Sequence, residues 1–324
     1  MDSYLIRAVE EDVRFAYRLL LGREPDTEGF AHYSKMVHAD NLSALEIARI
    51  IMSSEEYSAK SKQSGGLREV EIDGVKLFPW EGDHLIGDNV SATEVYEPNV
   101  LPIFLDGLSE GDHVLDVGAN VGIFSLLAAN RIGANGRVYC IEPVARNVQS
   151  LCAGIHGNDF SNVMIFPVAA SDRSAVVAVL RRSDSSNGIV DFYVSPSSSV
   201  DFVPTQRLDF LLHGISRLDV VKMDIEGHEP IAWKGLKSLV KKFQPRIFTE
   251  FSPVAIRNHS RIDPELYLHE LFEFAGEYVT VLSRDHQQIR CPSVSAVMLE
   301  WQRANEMLGL NGELHLDLLV DPAS

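Results

Sequence analysis

From about residue 98 to residue 300, short apolar runs alternate with longer stretches in which apolar residues recur at helical spacing. The runs predict strands and the stretches predict helices. We predict strands at 114–117, 138–141, 163–168, 218–223, 246–251, 279–282 and 296–299. We predict helices at 123–131, 145–153, 230–243 and 265–275. This alternation favours a mostly parallel sheet with helices on both faces, and the last two strands, with no helix between them, predict an antiparallel edge.

The chain before this region has a different pattern. Residues 1–60 carry apolar positions at helical spacing throughout, and Ser43 with Glu46 fits a capping box, so we expect a small all-α domain. Residues 61–97 predict a linker, beginning at 61–66, and a hairpin of strands 70–72 and 75–77 around Asp73-Gly74. Residues 98–300 then form the main domain and 301–324 a C-terminal extension. The serine-rich segment 183–199 predicts a loop or hairpin near the active edge.

Composition and charge narrow the functional classes. The chain has 324 residues, 45% of them hydrophobic, which is ample for a buried core. Its net charge of −17, with no strong basic run, makes nucleic acid a poor partner. Cys140, Cys152 and Cys291 lie far apart, which argues against a disulfide framework and for a reducing cytoplasm. We find neither a signal peptide nor a membrane span, and therefore expect a cytoplasmic protein.

The most informative segment is 114–125, VLDVGANVGIFS. It predicts a strand containing Asp116, a glycine-containing loop, and the start of a helix, in the order that builds a nucleotide site. A dinucleotide loop has the form Gly-x-Gly-x-x-Gly, whereas this loop, from Gly118 to Gly122, has Asn120 at its centre. Such a loop suits a ligand without a diphosphate. We expect S-adenosylmethionine, with NAD as the alternative.

The next two strands end in candidate ligands for such a cofactor. Glu142 follows Gly122 by about 20 residues, where a carboxylate can accept hydrogen bonds from both ribose hydroxyls. This position indicates a ribose without excluding NAD. After the third strand, Ala170 and Asp172 can meet the adenine amino group, or Asp172 can bond its own backbone in a turn. Asp116 can orient the glycine loop or reach the cofactor's ammonium through water.

The fourth strand carries the second strong signal, because 218–229 reads LDVVKMDIEGHE. Alternation places Lys222, Asp224 and Glu226 on one side, and charges beside a buried strand usually lie at a functional edge. Transfer to a hydroxyl needs a base, for which Asp224 has the position, His228 the unperturbed pKa, and Glu226 is a third candidate. Glu250, ending the fifth strand, can share the pocket and contact substrate hydroxyls. Glu229 is expected to be structural, at a helix N-terminus.

A metal site was the alternative for this acidic segment. Asp224, Glu226, His228 and Glu250 are of residue types that bind hard metal ions. Their spacing matches no known ligand pattern. We therefore expect no bound metal, and we keep Lys222, Asp224, Glu226, His228 and Glu250 as the candidate catalytic residues.

These segments resemble the FkbM family of S-adenosylmethionine-dependent methyltransferases. The resemblance rests on 114–125, 140–143, 169–172, 207–212 and 220–230, and it covers about residues 90–300. It implies the α/β class I methyltransferase fold, Rossmann-like with a mostly parallel seven-stranded sheet, and O-methylation of sugars or polyketides. It implies that Asp224 and Glu226 line the transfer site, while the position of His228 varies in the family. With it, the expected cofactor-binding residues are Glu97, Asp116, Gly118, Ala119, Asn120, Gly122, Glu142, Pro143, Ala170 and Asp172.

Residues 17–33 and 53–57 resemble a small helical module that is distantly like phycobilisome linkers. That module often accompanies glycan-modifying proteins, so the resemblance implies a protein partner or self-association through residues 1–60. It also favours a saccharide as acceptor. We thus expect an O-methyltransferase acting on a saccharide or glycan precursor. The alternatives are a methyltransferase of another acceptor, such as a polyketide-like molecule, an amine or a nucleic acid base, and a non-catalytic cofactor-binding assembly module.

Overall fold

A computed structural model describes residues 8–21, 23–40, 42, 46–47, 50–51, 54–57, 66–81, 83, 96–180, 189–190, 200–310 and 312–323. The helices are α1 (Glu10–Ala16), α2 (Thr27–Asp40), α3 (Leu101–Asp106), α4 (Ile123–Ile132), α5 (Ala145–Gly157), α6 (Leu208–Leu211), α7 (Glu229–Phe243), α8 (Pro253–Ala255), α9 (Pro264–Ala275) and α10 (Val294–Leu308). The strands are β1 (Val70–Ile72), β2 (Val75–Leu77), β3 (His113–Val117), β4 (Arg137–Ile141), β5 (Val163–Phe166), β6 (Ala169–Ala170), β7 (Ala175–Leu180), β8 (Ile189–Val190), β9 (Val200–Gln206), β10 (Val220–Met223), β11 (Arg246–Phe251), β12 (Val279–Leu282), β13 (Gln288–Cys291) and β14 (Leu316–Val320).

The central sheet has eight strands in the order β13-β12-β14-β11-β10-β3-β4-β5. Pairing is parallel from β11 through β10, β3 and β4 to β5, and antiparallel at β11–β14, β14–β12 and β12–β13. Six predicted strands are confirmed, as β3, β4, β5, β10, β11 and β12, and the four predicted helices correspond to α4, α5, α7 and α9. The result is the α/β, mostly parallel class I arrangement, with one strand more than the seven expected.

The strand predicted at 296–299 is wrong, because these residues lie inside α10. The side chain of Ser293 caps this helix by accepting a hydrogen bond from the Ala296 amide at 3.2 Å. Val294 and Val297 are buried on the inner face of the helix. A short apolar run is the same in a helix as in a strand, which explains the error. The antiparallel edge does exist, but β13 forms it, and this strand is mostly exposed and has no apolar run to reveal it.

Residues 301–324 do not form an extension. They begin with the end of α10 and then contribute β14, which lies between β11 and β12, antiparallel to both. Leu318 and Val320 of this strand are fully buried in the main core. The insertion of a C-terminal strand between two earlier ones is a long-range pairing that local periodicity does not specify. It places residues next to β11 that the chain order keeps far away.

A second sheet has the order β6-β9-β7-β8. β7 pairs antiparallel with residues 200–205 of β9, and Val179 and Val203 pack with Val144 and Ala169. This sheet was not expected. The loop or hairpin predicted at 183–199 lies outside the described residues apart from β8. Because Ala169, Ala170 and Val179 also line the cavity described below, the second sheet forms one of its walls.

Most of the described residues of the N-terminal region are helical, with α1 running into a π-helical turn at Tyr17–Leu21, followed by α2 after a short non-helical connection. Val13, Leu20 and Ile47 belong to a separate small core, and the Leu20 carbonyl accepts a hydrogen bond from the Gln149 side chain on α5 at 3.2 Å. The predicted hairpin is confirmed as β1–β2. Ser43 of the capping box and residues 61–65 of the linker lie outside the described residues. Of the helices described, none is both long and apolar enough to cross a membrane.

Candidate active site

A cavity of about 330 Å³ opens at the carboxyl ends of β3, β4, β10 and β11. Parallel strands bring their carboxyl ends to one edge of a sheet, so the loops that follow them meet there. All five candidate catalytic residues line it, namely Lys222, Asp224, Glu226, His228 and Glu250. Eight of the ten expected cofactor residues line it as well, namely Glu97, Asp116, Gly118, Ala119, Asn120, Glu142, Pro143 and Ala170.

The structure does not bring Gly122 and Asp172 to the cavity wall. Gly122 precedes α4 with a φ of 96°, and a Cβ there would lie 2.3 Å from Leu151 Cδ1 on α5. The left-handed backbone strains any other residue at this position, and a side chain there would also displace the end of Leu151. Asp172 lies just beyond β6, with its carboxylate 3.9 Å from the Arg173 guanidinium.

Gly118 joins the two charged segments of the site. Its φ is 86°, and a Cβ would lie 2.0 Å from the carbonyl oxygen of Asp224. Only glycine lets the loop after β3 pass this close to the loop after β10. Asn120 follows with a φ of 54°, in the left-handed region that asparagine tolerates better than most residues. The loop sequence is thus explained by backbone conformation and close packing.

Glu142 is a buried carboxylate held by backbone amides. Its Oε2 accepts from the Asn120 amide at 2.8 Å, and its Oε1 accepts from the Val144 amide at 2.8 Å and from Asn147 Nδ2 at 3.4 Å. Burial raises the pKa of Glu142 to about 7 despite these donors. Asn147, which also lines the cavity, was not predicted. Asn147 lies in the first turn of α5, the helix that directly follows Glu142-Pro143, and this position was the available signal.

Asp116 is buried and half-paired. Its Oδ2 accepts a hydrogen bond of 2.5 Å from the Ser125 hydroxyl, whereas its buried Oδ1 has no hydrogen-bond partner. Burial raises the pKa of this carboxyl, and Lys222 opposes that effect. Asp116 belongs to the cavity lining, and its unpaired oxygen retains the capacity to accept a hydrogen bond.

The buried Lys222 forms an ion pair with the half-buried Asp224, with 3.0 Å between Nζ and Oδ2. Nζ also lies 4.4 Å from the centre of the Phe124 ring. Burial works to lower the pKa of Lys222, but Asp224, Asp116 and Glu97 outweigh it, so the pKa is raised. Burial works to raise the pKa of Asp224, but Lys222 outweighs it and the pKa falls. Asp224 is therefore a stable carboxylate with little tendency to take a proton.

Glu250 ends β11 and faces His315, with 3.0 Å between Oε1 and Nδ1. Burial, and then the charge of Asp224, raise the pKa of Glu250 to about 7. Burial works to lower the pKa of His315, but the contact with Glu250 outweighs it, so the pKa of His315 rises to about 9. Oε2 of Glu250 is buried without a hydrogen-bond partner. His315 and Asp317 both line the cavity and were missed, because the apolar run of β14 was not assigned to the sheet.

Glu97 and Asp317 complete the acidic lining. Burial raises the pKa of Glu97 to about 7, although Lys222 opposes it, and its φ of 40° holds it in the left-handed region. Asp317 lies opposite Glu250 in the strand register and accepts a hydrogen bond of 2.9 Å from Asn99 Nδ2. Tyr96 and Phe124 add aromatic surface to the same wall.

His228 is less suited to the role of base than its usual pKa suggested. It is buried, neither ring nitrogen has a hydrogen-bond partner, and burial lowers its pKa to about 4. Glu226, at a φ of 57°, offers its backbone carbonyl to His259. The buried carboxylate of Glu229 accepts from the amides of Ile225 at 2.8 Å and Gly227 at 3.3 Å, so it braces this loop from the helix side.

The many carboxyl groups that line the cavity fit a ligand that carries positive charge. The basic lining residues are Lys222, His228 and His315, against seven carboxyl groups, those of Glu97, Asp116, Glu142, Asp224, Glu226, Glu250 and Asp317. Buried oxygens of Asp116 and Glu250 have no partner. S-adenosylmethionine carries a sulfonium and an ammonium group, and its ribose offers hydroxyl donors, so these residues fit it. Across the described parts of the chain, no three or more His, Cys, Asp or Glu residues form a group that could hold a metal ion.

Several solved structures are similar to this chain. The FkbM methyltransferase of Methylobacillus flagellatus KT is 14% identical, with 94% of this chain and 58% of that chain covered and a TM-score of 0.40. An rRNA methylase from Streptococcus thermophilus is 9% identical, over 68% of this chain and 93% of that one, with a TM-score of 0.38. The T. thermophilus 16S rRNA N2 G1207 methyltransferase, solved with AdoMet and guanosine, is 14% identical over 79% and 50%, with a TM-score of 0.40.

The chain thus spans 58% of the length of the Methylobacillus protein. No curated protein matches the sequence. Residues 116–279, just over half of the chain, match the methyltransferase FkbM domain family. This range contains the glycine loop, Glu142 and the charged segment after β10, and it ends at the start of β12. The chain therefore belongs to the FkbM family of S-adenosylmethionine-dependent methyltransferases.

Proposed function

We propose that this methyltransferase is O-directed and that its acceptor is a hydroxyl group of a saccharide or glycan precursor. The observation that carries the proposal is the carboxylate of Glu250, which belongs to the cavity lining and has one oxygen without a hydrogen-bond partner. Transfer to a hydroxyl requires removal of its proton, whereas a neutral amine can attack first and lose a proton afterwards. A cavity-facing base therefore favours oxygen over nitrogen as the acceptor atom.

The residues after β3 and β4 would hold the cofactor. Glu142 is fixed by the amides of Asn120 and Val144, so its carboxylate has a set orientation in which to accept from ribose hydroxyls. The unpaired oxygen of Asp116 would accept from the ammonium group. When bound, S-adenosylmethionine supplies a methyl group on a sulfonium, and the bond from methyl carbon to sulfur breaks as the bond to the acceptor forms.

Glu250 would act as the general base. Its pKa of about 7 lies close to neutral pH, where a base combines an ionised form with useful basicity. The unpaired Oε2 would take the hydroxyl proton as the oxygen attacks. Asp224, held by Lys222, keeps its charge and would orient the acceptor by accepting a hydrogen bond from a neighbouring hydroxyl. Glu226 also lines the cavity and would contact the acceptor on the same side.

Two features support a saccharide. The acidic lining offers many hydrogen-bond acceptors, which suit a ligand with several hydroxyl donors. The N-terminal residues resemble a helical module that accompanies glycan-modifying proteins, and we propose that residues 1–60 contact a protein partner or a second copy. The net charge of −17 also disfavours polyanionic acceptors, so we propose no nucleic acid substrate.

The test is an acceptor screen with the full chain and S-adenosylmethionine. Neutral saccharides, a polyketide-like alcohol, an amine and ribosomal RNA would each be offered, and formation of S-adenosylhomocysteine would be measured together with the product mass. We expect a saccharide product heavier by one methylene group, with the methyl on oxygen. A methylated amine or RNA would refute the proposed acceptor. Cofactor binding without transfer to any hydroxyl, in a screen that includes the glycans of the source cell, would favour the assembly module.

A further inference from the structure

The C-terminal strand brings a histidine into the site from outside the segment that defines the family. The family match ends at residue 279, whereas His315 directly precedes β14. Because β14 lies between β11 and β12, its first residues stand beside the carboxyl end of β11, where Glu250 is located. Phe251 pairs with Leu316 in this register, so His315 continues the strand towards the cavity.

His315 contacts only one of the two oxygens of the Glu250 carboxylate. His315 Nδ1 lies 3.0 Å from Oε1, and Oε2 is buried, unpaired and on the cavity wall. The side chain of Glu250 is 10% exposed and that of His315 is 40% exposed, so the histidine sits at the rim. His315 thereby holds Oε1, while Oε2 has no hydrogen-bond donor of its own and the carboxyl group of Asp224 interacts with Glu250 from the neighbouring strand.

The charges around Glu250 disfavour its ionised form. Asp224, Glu226 and Glu229 interact with it unfavourably from the β10–α7 segment, and Asp317 lies opposite it on β14. Lys222, the nearby lysine, is already bound to Asp224 at 3.0 Å. Among the residues that the structure describes, His315 is the cationic side chain within ion-pair distance of Glu250. The neighbouring carboxylates raise the pKa of Glu250, and the positive charge of His315 lowers it.

We propose that His315 is a positioning residue of the transfer site, whose protonated ring binds Oε1 of Glu250 and keeps Oε2 ionised and directed at the acceptor. This inference rests on the proposed role of Glu250 as base. It makes the C-terminal strand part of the reaction machinery. His315 itself does not accept the acceptor proton, because its ring already carries one at neutral pH.

The first test needs no acceptor. In the full chain labelled at the glutamate carboxyl carbons, NMR would follow the Glu250 signal, assigned by its loss in Glu250→Gln, as the pH is changed. We expect a midpoint near 7 in the parent and a midpoint higher by about 1 pH unit or more in His315→Asn, since an opposite charge at this distance lowers a carboxyl pKa by about that amount. His315→Lys restores a cation and should bring the midpoint back towards the parent value.

The reciprocal measurement guards against a His315 variant that does not fold. The ring signal of His315 should titrate near 9 in the parent and closer to 6.5 in Glu250→Gln, because the interaction is mutual. The exposed His269 on α9 provides the control, and His269→Asn should leave both midpoints unchanged. Unmoved midpoints in both His315→Asn and Glu250→Gln would overturn the inference.

The second test uses the acceptor found by the screen. In His315→Asn we expect the rising limb of kcat against pH to move to higher pH by the same amount as the NMR midpoint, with KM for S-adenosylmethionine within about threefold of the parent. At a pH below the new midpoint, kcat should fall about tenfold for each pH unit of displacement. A shifted NMR midpoint without hydroxyl transfer would contradict the proposed function alone. Hydroxyl transfer whose pH limb is the same in His315→Asn would contradict His315 alone.

Discussion

The two ends of the cavity hold their carboxylates by different means. At the Glu142 end, which comprises the Gly118–Asn120 loop, Glu142 and Asn147, two backbone amides donate to Glu142 at 2.8 Å each. At the Glu250 end, which comprises Lys222, Asp224, Glu250 and His315, the partners are charged side chains at 3.0 Å. Burial raises the pKa of both glutamates to about 7. The same pKa thus arises in two environments.

The two ends also differ in which parts of the chain supply the partners of the glutamate. The amides that bind Glu142 belong to the loops after β3 and β4, neighbouring strands joined by a single helix. The side chains of the Glu250 end come from β10, β11 and β14, and the last of these enters the sheet from the end of the chain. A backbone environment tolerates side-chain substitutions nearby, whereas a charge network changes when one member is removed.

The largest expected effect is at the Glu250 end. Glu250→Gln keeps the size of the side chain but removes the base, so kcat should fall about 10²–10⁴-fold. Calorimetry should find the affinity for S-adenosylmethionine within about threefold of the parent. The exposed Glu273→Gln on α9 is the matched control and should leave kcat unchanged. A Glu250→Gln variant with full activity would transfer the role of base to another group, such as Glu226.

The second expected effect is at the junction of the two ends. Gly118→Ala would place a Cβ 2.0 Å from the Asp224 carbonyl oxygen at a φ of 86°, so we expect a loss of about 3 kcal/mol in the free energy of unfolding. Gly74 in the β1–β2 turn has a φ of 76° but open space around it. Gly74→Ala should therefore cost only about 1 kcal/mol. Urea unfolding measures both variants, and equal losses would show that packing against Asp224 is unimportant.

The same contrast explains what the sequence could predict. Glu142 and Asp224 directly follow apolar runs, and Glu250 lies at the end of a third. All three runs form parallel strands of one sheet, so the meeting of these residues at one edge was predictable. His315 and Asp317 were not, because their strand pairs with β11 and β12 across long stretches of chain. The strand predicted at 296–299 is wrong because the apolar run from Ala296 to Leu299 is compatible with a helix as well as a strand, and it lies inside the helix Val294–Leu308. The site residues that follow locally recognisable strands could therefore be predicted, whereas those on the inserted C-terminal strand could not.

The third prediction concerns the Glu142 end. Glu142→Ala removes a carboxylate proposed to accept two ribose hydroxyls, and charged hydrogen bonds contribute about 1.5–3 kcal/mol. We therefore expect affinity for S-adenosylmethionine to fall about 10–100-fold in calorimetry, while kcat at saturating cofactor stays within about threefold. This is the reverse of the pattern expected for Glu250→Gln. Unchanged affinity would remove Glu142 from the cofactor site, and an equal loss of kcat would erase the distinction between the two ends.

The smallest expected effect is on the pH dependence of stability. The pKa of Glu142 is raised to about 7 in the folded protein, above its ordinary value near 4.3, so folding binds a proton between these values. Its contribution to stability is fully present below about pH 4 and is lost as the pH rises through about 7, at no more than about 1.4 kcal/mol per pH unit.

Glu142→Gln cannot take this proton and isolates the contribution of this one carboxyl. Urea unfolding of the parent and of this variant, at intervals from pH 5 to pH 8, should give a stability difference that falls by about 1 kcal/mol or more and levels off above about pH 7.5. Because backbone amides surround Glu142, the same fall should persist when His315 is replaced by asparagine in both proteins. Parallel stability curves for parent and Glu142→Gln would mean that Glu142 ionises as readily in the fold as in the unfolded chain, and that its amides balance its burial.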